Sequence, residues 1–371
     1  MDRRLLRNAD LVLLGCVVVL AAWGALMVYS ATNANRALHG LDPAGKLKLQ
    51  LVWIVLGLAC MAATALADYS KLTRFSWPIY LSTLALLVLV LVVGQAGHGA
   101  RRWLSAGAFN LQPSELAKIA IIIALATVLA QREEKRGSLE TLGLTLGLVL
   151  LPMALVFKQP DLGTPVIAFV IWLVVMFASG AKVRHLVAVT LTGMVLFGVL
   201  WGTGVIKQHQ KERILAFRHP ERDPTGSGYH MIQARLATGA GGLVGKGLFR
   251  GPATQNGYIP EQETDFIFTA VGEEFGFVGS VVLLAIYFVL LSRAAQIAVE
   301  ARDALGLLLG LGIATMFFLH VFVNIGMTLG LLPVKGLALP FFSYGGSSML
   351  TSMIAVGLLE SIYMRRHKIT F

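Results

Sequence analysis

Ten long apolar stretches constrain the fold of this chain more than any other feature of its sequence. Each is close to the roughly 20 apolar residues that a helix needs to cross a bilayer. Only 14% of the 371 residues are charged, against about 25% in soluble domains, which excludes the water-soluble classes. We predict an all-α polytopic membrane protein with about ten transmembrane helices. The stretches lie near residues 11–30, 49–67, 78–95, 113–130, 141–157, 164–179, 186–204, 266–292, 304–330 and 347–363.

The distribution of Lys and Arg predicts the orientation of these helices, because the cytoplasmic loops of membrane proteins are enriched in both. With the N-terminus inside, the tails and connections on that side hold fifteen Lys and Arg residues, and the opposite short connections hold seven. We therefore expect both termini in the cytoplasm. The net charge of +11 then reflects loops and anionic lipid rather than a nucleic-acid partner. We expect one transmembrane domain over residues 1–371, with a long outer loop at about 205–265.

A glycine-rich run in the long loop, TGAGGLVGKG at residues 238–247, looks like a phosphate-binding loop at first sight. A Walker loop needs Gly where this chain has Ala240, and Ser or Thr where it has Gly247. We therefore expect no nucleotide site. The glycines favour tight turns and close helix packing, with phosphate contact by backbone N–H groups as the alternative. The two cysteines lie in apolar stretches, so neither a disulfide framework nor a Cys-based metal site is expected.

Ionisable residues next to a span are costly and mark candidate functional sites. The first such cluster runs from His98 to Lys118, where Pro113 suits the first turn of a helix. Glu115 then lies in that turn, and Lys118 lies three residues later on the same face. The two residues form either a local ion pair that neutralises two buried charges or the polar wall of a cavity. Arg101 and Arg102 are either interfacial anchors or ligands of a diphosphate.

Two further clusters place a carboxylate at the start of a span. Asp161, in KQPDLGT, either caps the sixth span or holds a cationic group in the same cavity. Asp265, in PEQETDFIF, directly precedes an apolar run; it is either a cap or a general base, because partial desolvation strengthens a carboxylate as a base. On one continuous helix, Glu273 would lie about 80° and Glu274 about 180° from Asp265. We therefore expect those two acids to serve other tasks.

The fourth cluster, LPFFSYGGSSML at residues 339–350, opens the tenth span. Ser343 with the adjacent glycines forms either a small polar lip at the cavity or simply the start of a closely packed helix. In the ninth span, His320 and Asn324 are expected to be buried polar groups with satisfied hydrogen bonds.

The chain resembles the SEDS family, named for shape, elongation, division and sporulation. The resemblance covers nearly the whole chain, and it departs from the family pattern at Ala338, where proline is usual, and at the run GPATQNGY. The stretch KQHQKERILAFRHPERDPTGSGYHMIQ is more similar to the elongation branch than to the division branch. The motifs that carry it are ARRWL, QPSELAK, QPDLGT, KERILAFRHPERDPTGSGYH, GGLVGKG, PEQETDFIF, GEEFGFVG and GLLPVKGLALPFFSYGGSSM.

The resemblance implies a peptidoglycan glycosyltransferase that polymerises lipid II at the outer face of the bacterial cytoplasmic membrane during cell elongation. It also implies a class B penicillin-binding protein, a transpeptidase, as partner, within the elongation machinery. By motif, Asp265 matches the family's essential aspartate and is the expected general base, and Glu115 and Lys118 match its cavity pair. Weaker matches to polar cavity positions are Asp161, Arg102, Lys246 and Ser343.

The leaving group of this reaction, undecaprenyl diphosphate, needs positive charge. We expect it from Arg101 or Arg102 together with loop residues such as Arg213 and Lys246. The alternative is a divalent ion, Mg²⁺ or Mn²⁺, held by carboxylates. The candidate metal ligands are Asp265, Glu115 and Asp161.

Two other functions compete with the enzyme. A lipid II flippase needs charged groups through the membrane midplane, whereas the apolar stretches here carry charge only near their outer ends. A non-enzymatic scaffold that only recruits the penicillin-binding protein needs no carboxylate at Asp265.

Overall fold

The computed structural model describes residues 8–97, 100–106, 109–159, 161, 163–203, 211, 215–223 and 226–366. Within these residues one apolar helix coincides with each of the ten predicted spans. Nine are long and apolar enough to cross a membrane, and the remaining one, α6, has 16 residues. The predicted multi-pass helical fold is therefore confirmed. The helices are α1 (Leu11–Leu38), α2 (Gly45–Leu66), α3 (Leu72–Val93), α4 (Pro113–Gln131), α5 (Leu139–Lys158), α6 (Gly163–Ala178), α7 (Val183–Gly202), α10 (Ile267–Val299), α11 (Ala304–Thr328) and α12 (Gly346–Met364).

The helices differ sharply in how much of their surface the bundle covers. In the most apolar window of α4, 89% of the residues are buried, against 6% in α7. Helix α12 packs closely on α2, where a Cβ on Gly357 would lie 2.5 Å from the carbonyl oxygen of Met61. Small residues permit this approach, which drives helix association where lipid removes the usual hydrophobic effect. Helices α12 and α11 are also well buried, at 83% and 61% of the same measure, so α4, α11 and α12 form the centre of the bundle, whereas α7 lies at its surface.

A small antiparallel sheet between α3 and α4 was not predicted. Leu104 pairs with Leu111, and Gln95 pairs with Trp103. The outer two strands have three residues each, too few to show the alternation by which a strand is recognised in sequence. The strands are β1 (Gln95–Gly97), β2 (Ala100–Ala106) and β3 (Phe109–Leu111).

The described part of the long loop is folded onto the bundle. Met231 and Phe266 are buried in one apolar cluster with Val334 of the α11–α12 connection. The guanidinium of Arg235 donates to the carbonyl oxygen of Gly330 at 2.7 Å, just beyond α11. The loop is therefore part of the folded structure at this end of the bundle. Its elements are the 3₁₀ turn Pro220–Arg222, α8 (Ser227–Ala240) and α9 (Pro252–Gln255).

The glycine-rich run 241–247 forms backbone hydrogen bonds on both sides of a break in α10. Gly276 has φ 66° and ψ −157°, which interrupts the helix. Across this break the N–H of Lys246 donates to the Glu273 carbonyl at 3.0 Å, and the N–H of Phe277 donates back to the run at 2.9 Å. The run therefore supplies hydrogen bonds that the interrupted helix lacks.

The glycines of this run make tight turns and close packing, as predicted. Gly242, Gly245 and Gly247 have positive φ, from 59° to 96°. A Cβ on Gly241 would collide with the carbonyl oxygen of Gly272. The positive φ angles favour glycine at residues 242, 245 and 247, and at residue 241 the contact leaves no room for a side chain.

Candidate active site

Asp265 lies in a turn before α10, at the end of the bundle that we call the site end. Its N–H donates to the carbonyl oxygen of Glu261 at 3.1 Å. The side-chain amide of Asn324, on α11, donates to the carbonyl oxygens of Asp265 at 2.8 Å and Leu337 at 2.7 Å. Both acceptors are carbonyls, which fixes which end of the amide is NH₂. Asn324 thus ties the Asp265 turn to the segment Lys335–Leu339, which we call the site loop.

The site loop lies directly against the Asp265 carboxylate. A Cβ on Gly336 would lie 3.1 Å from Asp265 Oδ2, closer than an ordinary van der Waals contact. Asp265 as a whole is half-buried, and the site loop covers the Oδ2 side of its carboxylate. Any larger residue at position 336 would force the Asp265 carboxylate to move. The importance of Gly336 was not predicted, although the residue lies within the motif GLLPVKGLALPFFSYGGSSM.

The predicted ion pair in α4 is present and deeply buried. Lys118 Nζ lies 2.7 Å from Glu115 Oε1, and the Lys118 side chain is 0% exposed. Pro113 begins the helix as expected. Lys118 Nζ also lies 2.7 Å from Nε2 of His320, whose Nδ1 lies 3.1 Å from the carbonyl oxygen of Ala338 in the site loop. The pair predicted from α4 alone is therefore part of a chain of contacts that crosses to α11 and the site loop.

Asp161 makes the contacts of a helix cap. Its Oδ1 accepts from the N–H of Gly163 at 2.8 Å, and its Oδ2 accepts from the Thr164 hydroxyl at 2.8 Å. The start of α6 also adjoins the site loop, because a Cβ on Gly163 would lie 3.4 Å from the Leu337 side chain. Asp161 thus positions a helix start at the site end.

Lys335 is a basic residue of the site loop that was not predicted to belong to the site. It is one of the seven basic residues counted above in the short connections opposite the termini. Burial lowers the pKa of its ammonium group, and the nearby Asp161 carboxylate opposes that shift. Lys335 therefore places positive charge beside the Asp161 cap and one residue from Gly336.

Ser343 is buried in the turn before α12. Its hydroxyl accepts from the N–H of Leu339 at 2.9 Å, and its carbonyl accepts from the Gln50 amide at 3.1 Å. These contacts are those of a closely packed helix start, one of the two alternatives given above. Ser343 holds the end of the site loop through its bond with Leu339.

The predicted basic residues fall into three groups. Arg102 Nε donates to the Gln159 carbonyl at 2.8 Å, which joins β2 to the end of α5. Lys246 is exposed, and its backbone pairs with Glu273, about two turns along α10 from Asp265. Arg213 and the side chain of Arg101 lie outside the described residues.

The structure corrects the geometry expected for Glu273 and Glu274. Asp265 lies in the turn before α10, which begins at Ile267, so the angles calculated for one continuous helix do not apply. Glu273 accepts from the N–H groups of Ala253 and Thr254 at 2.9 Å each. Glu274 Oε1 accepts from the Ser30 hydroxyl at 2.6 Å. Both acids bond to the loop or to α1, and that they serve tasks apart from Asp265 stays a prediction.

The three carboxylates considered for a divalent ion do not converge in the described part of the chain. No group of three or more His, Cys, Asp or Glu side chains there is arranged to hold a metal. Glu115 faces Lys118, and both oxygens of Asp161 accept hydrogen bonds from its own helix start. These three residues therefore do not form one metal site in the described part of the chain.

Two named relatives are similar to this chain over nearly its full length. The probable peptidoglycan glycosyltransferase FtsW of Trichlorobacter lovleyi is 41% identical, covering 96% of this chain and 93% of the relative. The peptidoglycan glycosyltransferase MrdB of Escherichia coli is 35% identical, covering 97% of this chain and 94% of the relative.

Two solved structures share the fold. A chain from a structural study of coordinated polymerization and crosslinking by a peptidoglycan synthase complex has a TM-score of 0.82 at 32% identity, covering 97% of this chain and 99% of that chain. The crystal structure of Thermus thermophilus rod shape determining protein RodA has a TM-score of 0.72 at 31% identity, covering 97% and 98%. The family model for cell cycle proteins of the FtsW, RodA and SpoVE type matches residues 10–368. Because this match and both relatives cover nearly the full length of the chain, the chain belongs to this family, the SEDS proteins.

Proposed function

We propose that this chain is a peptidoglycan glycosyltransferase that polymerises lipid II. The observation that carries the proposal is the Asp265 turn. Its backbone is held on both sides by Glu261 and Asn324, while its half-buried carboxylate adjoins the site loop. A carboxylate fixed through its backbone and partly shielded from water suits a general base. The full-length similarity to relatives named peptidoglycan glycosyltransferases supports the same conclusion.

The proposed reaction joins two lipid-linked disaccharides. The 4-hydroxyl oxygen of the acceptor's N-acetylglucosamine attacks the anomeric carbon of the donor's N-acetylmuramic acid. Asp265 takes the hydroxyl proton as the new C–O bond forms. The bond between the anomeric carbon and the diphosphate breaks, and undecaprenyl diphosphate leaves with the electron pair.

The departing diphosphate needs cations that are already in position. Among the described residues we assign this task to Lys335, which lies in the site loop, and to Arg102, whose position β2 and Gln159 fix. Lys246, Arg101 and Arg213 remain predicted contributors from the loop and sheet. That a divalent ion also stabilises the diphosphate is a separate proposal, which the comparison of Mg²⁺ with EDTA in the reconstituted assay tests.

We place the site end at the outer face of the bacterial cytoplasmic membrane, with both termini inside. When the long loop is left out, the opposite side holds fifteen Lys and Arg residues against seven at the site end, and this excess in short connections and tails supports the orientation. The relatives are named for both FtsW and MrdB. The stretch KQHQKERILAFRHPERDPTGSGYHMIQ favours elongation, so depletion in the native host is expected to give rounded cells, whereas filaments would place the chain in division.

The test is reconstitution with labelled lipid II. The purified chain and its cognate class B penicillin-binding protein, with the transpeptidase serine inactivated, are incubated with Mg²⁺ or with EDTA, and glycan strands are resolved on a gel. Strands that appear only when the chain is present support the proposal. Lipid II translocation in liposomes without strands would establish a flippase, and neither activity would leave the scaffold.

A groove between α10 and α11 suits the membrane helix of that partner. It has a volume of about 450 Å³ and is open to lipid. Phe288, Phe318 and Phe322 are 72%, 51% and 55% exposed along it, and the last two rings stack with centroids 5.6 Å apart. The similar chain solved in a peptidoglycan synthase complex supports the presence of a partner, and the exposed aromatic side chains are our reason for placing it in this groove.

We expect the double substitution Phe318→Ala and Phe322→Ala to weaken partner binding roughly tenfold, because aromatic anchors carry much of an interface's binding energy. Binding is measured between labelled proteins in nanodiscs. Phe177→Ala is the matched control, since Phe177 is 63% exposed in the other lipid-facing groove. Equal affinity of all three proteins would move the partner to another face.

We expect Gly336→Ala to lower kcat about tenfold without changing thermal stability. The added Cβ forces Asp265 Oδ2 to shift by a few tenths of an ångström, and small displacements of a reacting group are costly. The rate is measured in the reconstituted assay. Gly239→Ala in α8 is the control, because nothing lies within 4 Å of its Cβ position. An unchanged rate in the Gly336 variant would separate the site loop from the chemistry.

A further inference from the structure

His320 connects two parts of the site end that sequence motifs treat separately. On one side of its ring lies the buried Lys118 ammonium, and on the other lies the Ala338 carbonyl of the site loop. Asn324 lies one helical turn further along α11 on the same face and holds the same loop through Leu337. Two side chains of one rigid helix therefore fix the site loop at adjacent carbonyls.

The hydrogen bonds have a defined direction. A carbonyl oxygen only accepts, so Nδ1 of His320 must carry the proton that it donates to Ala338. Nε2 of the neutral ring then has a free lone pair, and it accepts from Lys118, which only donates. The chain of donors runs from Lys118 through His320 to Ala338. It depends on a backbone carbonyl, so it does not require the proline that the family usually has at this position.

Lys118 has no direct route to a substrate in this structure, since its side chain is 0% exposed. Its ammonium is held between Glu115 and His320 at 2.7 Å each. Any influence of this pair on the chemistry therefore passes through its neighbours. Through His320 it reaches the site loop, and Gly336 of that loop adjoins the Asp265 carboxylate.

We propose that His320 is a positioning residue that transfers the fixed location of the Glu115–Lys118 pair to the site loop, and thereby sets the place of the Asp265 carboxylate. The catalytic consequence rests on the proposed function. The coupling between His320 and the site loop does not rest on the proposed function, because it concerns only how well the loop is held in one conformation.

Three substitutions separate the two hydrogen bonds of the ring. His320→Asn keeps a donor at the position of Nδ1 and loses the contact with Lys118. His320→Gln keeps an acceptor near the position of Nε2 and loses the contact with Ala338. His320→Leu loses both. If positioning of the site loop needs both hydrogen bonds, all three substitutions disrupt it to the same extent. If the two bonds act independently, the free-energy loss in His320→Leu is the sum of the losses in the other two variants.

The first measurement is hydrogen–deuterium exchange of the peptide containing residues 335–339, on full-length protein in detergent. We expect exchange at Leu337 and Leu339 to accelerate about tenfold in all three variants, since these N–H groups are bonded within the site loop and its turn. Thr315→Val is the control on α11, because its hydroxyl bonds only within the helix. Unchanged exchange in the His320 variants would overturn the proposal, whatever the enzyme does.

The second measurement is lipid II polymerisation in the reconstituted assay. We expect kcat to fall about tenfold in each of the three variants, to similar extents, with KM nearly unchanged, because positioning acts on the bound state. A fall in His320→Leu equal to the product of the falls in the other two would indicate independent structural bonds and overturn the coupling. Failure of wild type to make strands would overturn the proposed function, while the exchange data still decide the coupling.

Discussion

The Asp265→Asn variant is expected to polymerise lipid II at least about 100-fold more slowly than wild type. An amide has the shape of the carboxylate but does not take the proton of the acceptor hydroxyl, and general-base catalysis contributes roughly 10²- to 10⁴-fold. The backbone contacts of Asp265 with Glu261 and Asn324 remain, so the variant is expected to fold. The rate is measured with the partner present, alongside the thermal unfolding midpoint.

Glu261→Gln is the matched control for this prediction. It removes an exposed carboxylate four residues away in the same turn, and we expect the rate to stay within about twofold of wild type. Equal rates for Asp265→Asn and wild type would remove Asp265 as the base. A lowered unfolding midpoint in the Asn variant alone would indicate a structural role instead.

The second large effect is on stability, at the Glu115–Lys118 pair. Either Glu115→Gln or Lys118→Met leaves one charge buried without its ionic partner, which costs roughly 3–5 kcal/mol. We expect the thermal unfolding midpoint in detergent to fall by roughly 5–10 °C for each single variant. The double variant removes both charges, so more than half of this loss is expected to be recovered. Independent, additive losses would contradict a buried pair.

An exposed ion pair in the same protein provides the comparison. Lys48 and Asp42 also lie 2.7 Å apart, but their side chains are 69% and 48% exposed. Water screens such a pair, whose contribution is about 0–1 kcal/mol. We expect Lys48→Met to leave the unfolding midpoint within about 2 °C of wild type. Because both pairs have the same N–O distance, the difference between their effects on the unfolding midpoint reports the effect of burial.

The sequence was sufficient to predict the features that follow local rules. Apolar length defined the ten helices, and Pro113 with Glu115 and Lys118 at fixed spacing gave the start of α4 and its ion pair. The capping contacts of Asp161 follow from its position before a span. The turns of the glycine-rich run follow from its composition.

The features that the sequence did not reveal depend on long-range contacts. His320 and Asn324 hold the site loop through backbone carbonyls, and a carbonyl has no signature in a sequence. The break at Gly276 lies within one predicted span, and glycines also occur nearby at residues 272 and 279, so nothing in the local composition singles it out. Gly336 matters because of a carboxylate 71 positions away in the chain, a separation that no periodicity describes.

The break in α10 bears on how the protein is made. A span with interrupted backbone bonding is unfavourable in lipid until another segment satisfies its exposed groups. Here that segment is the run 241–247, which precedes α10 in the chain. During translation the ribosome therefore delivers the complementary backbone before the defective span emerges, so that the loop is available when α10 enters the bilayer. The order of synthesis matches the order in which this part of the fold has to assemble.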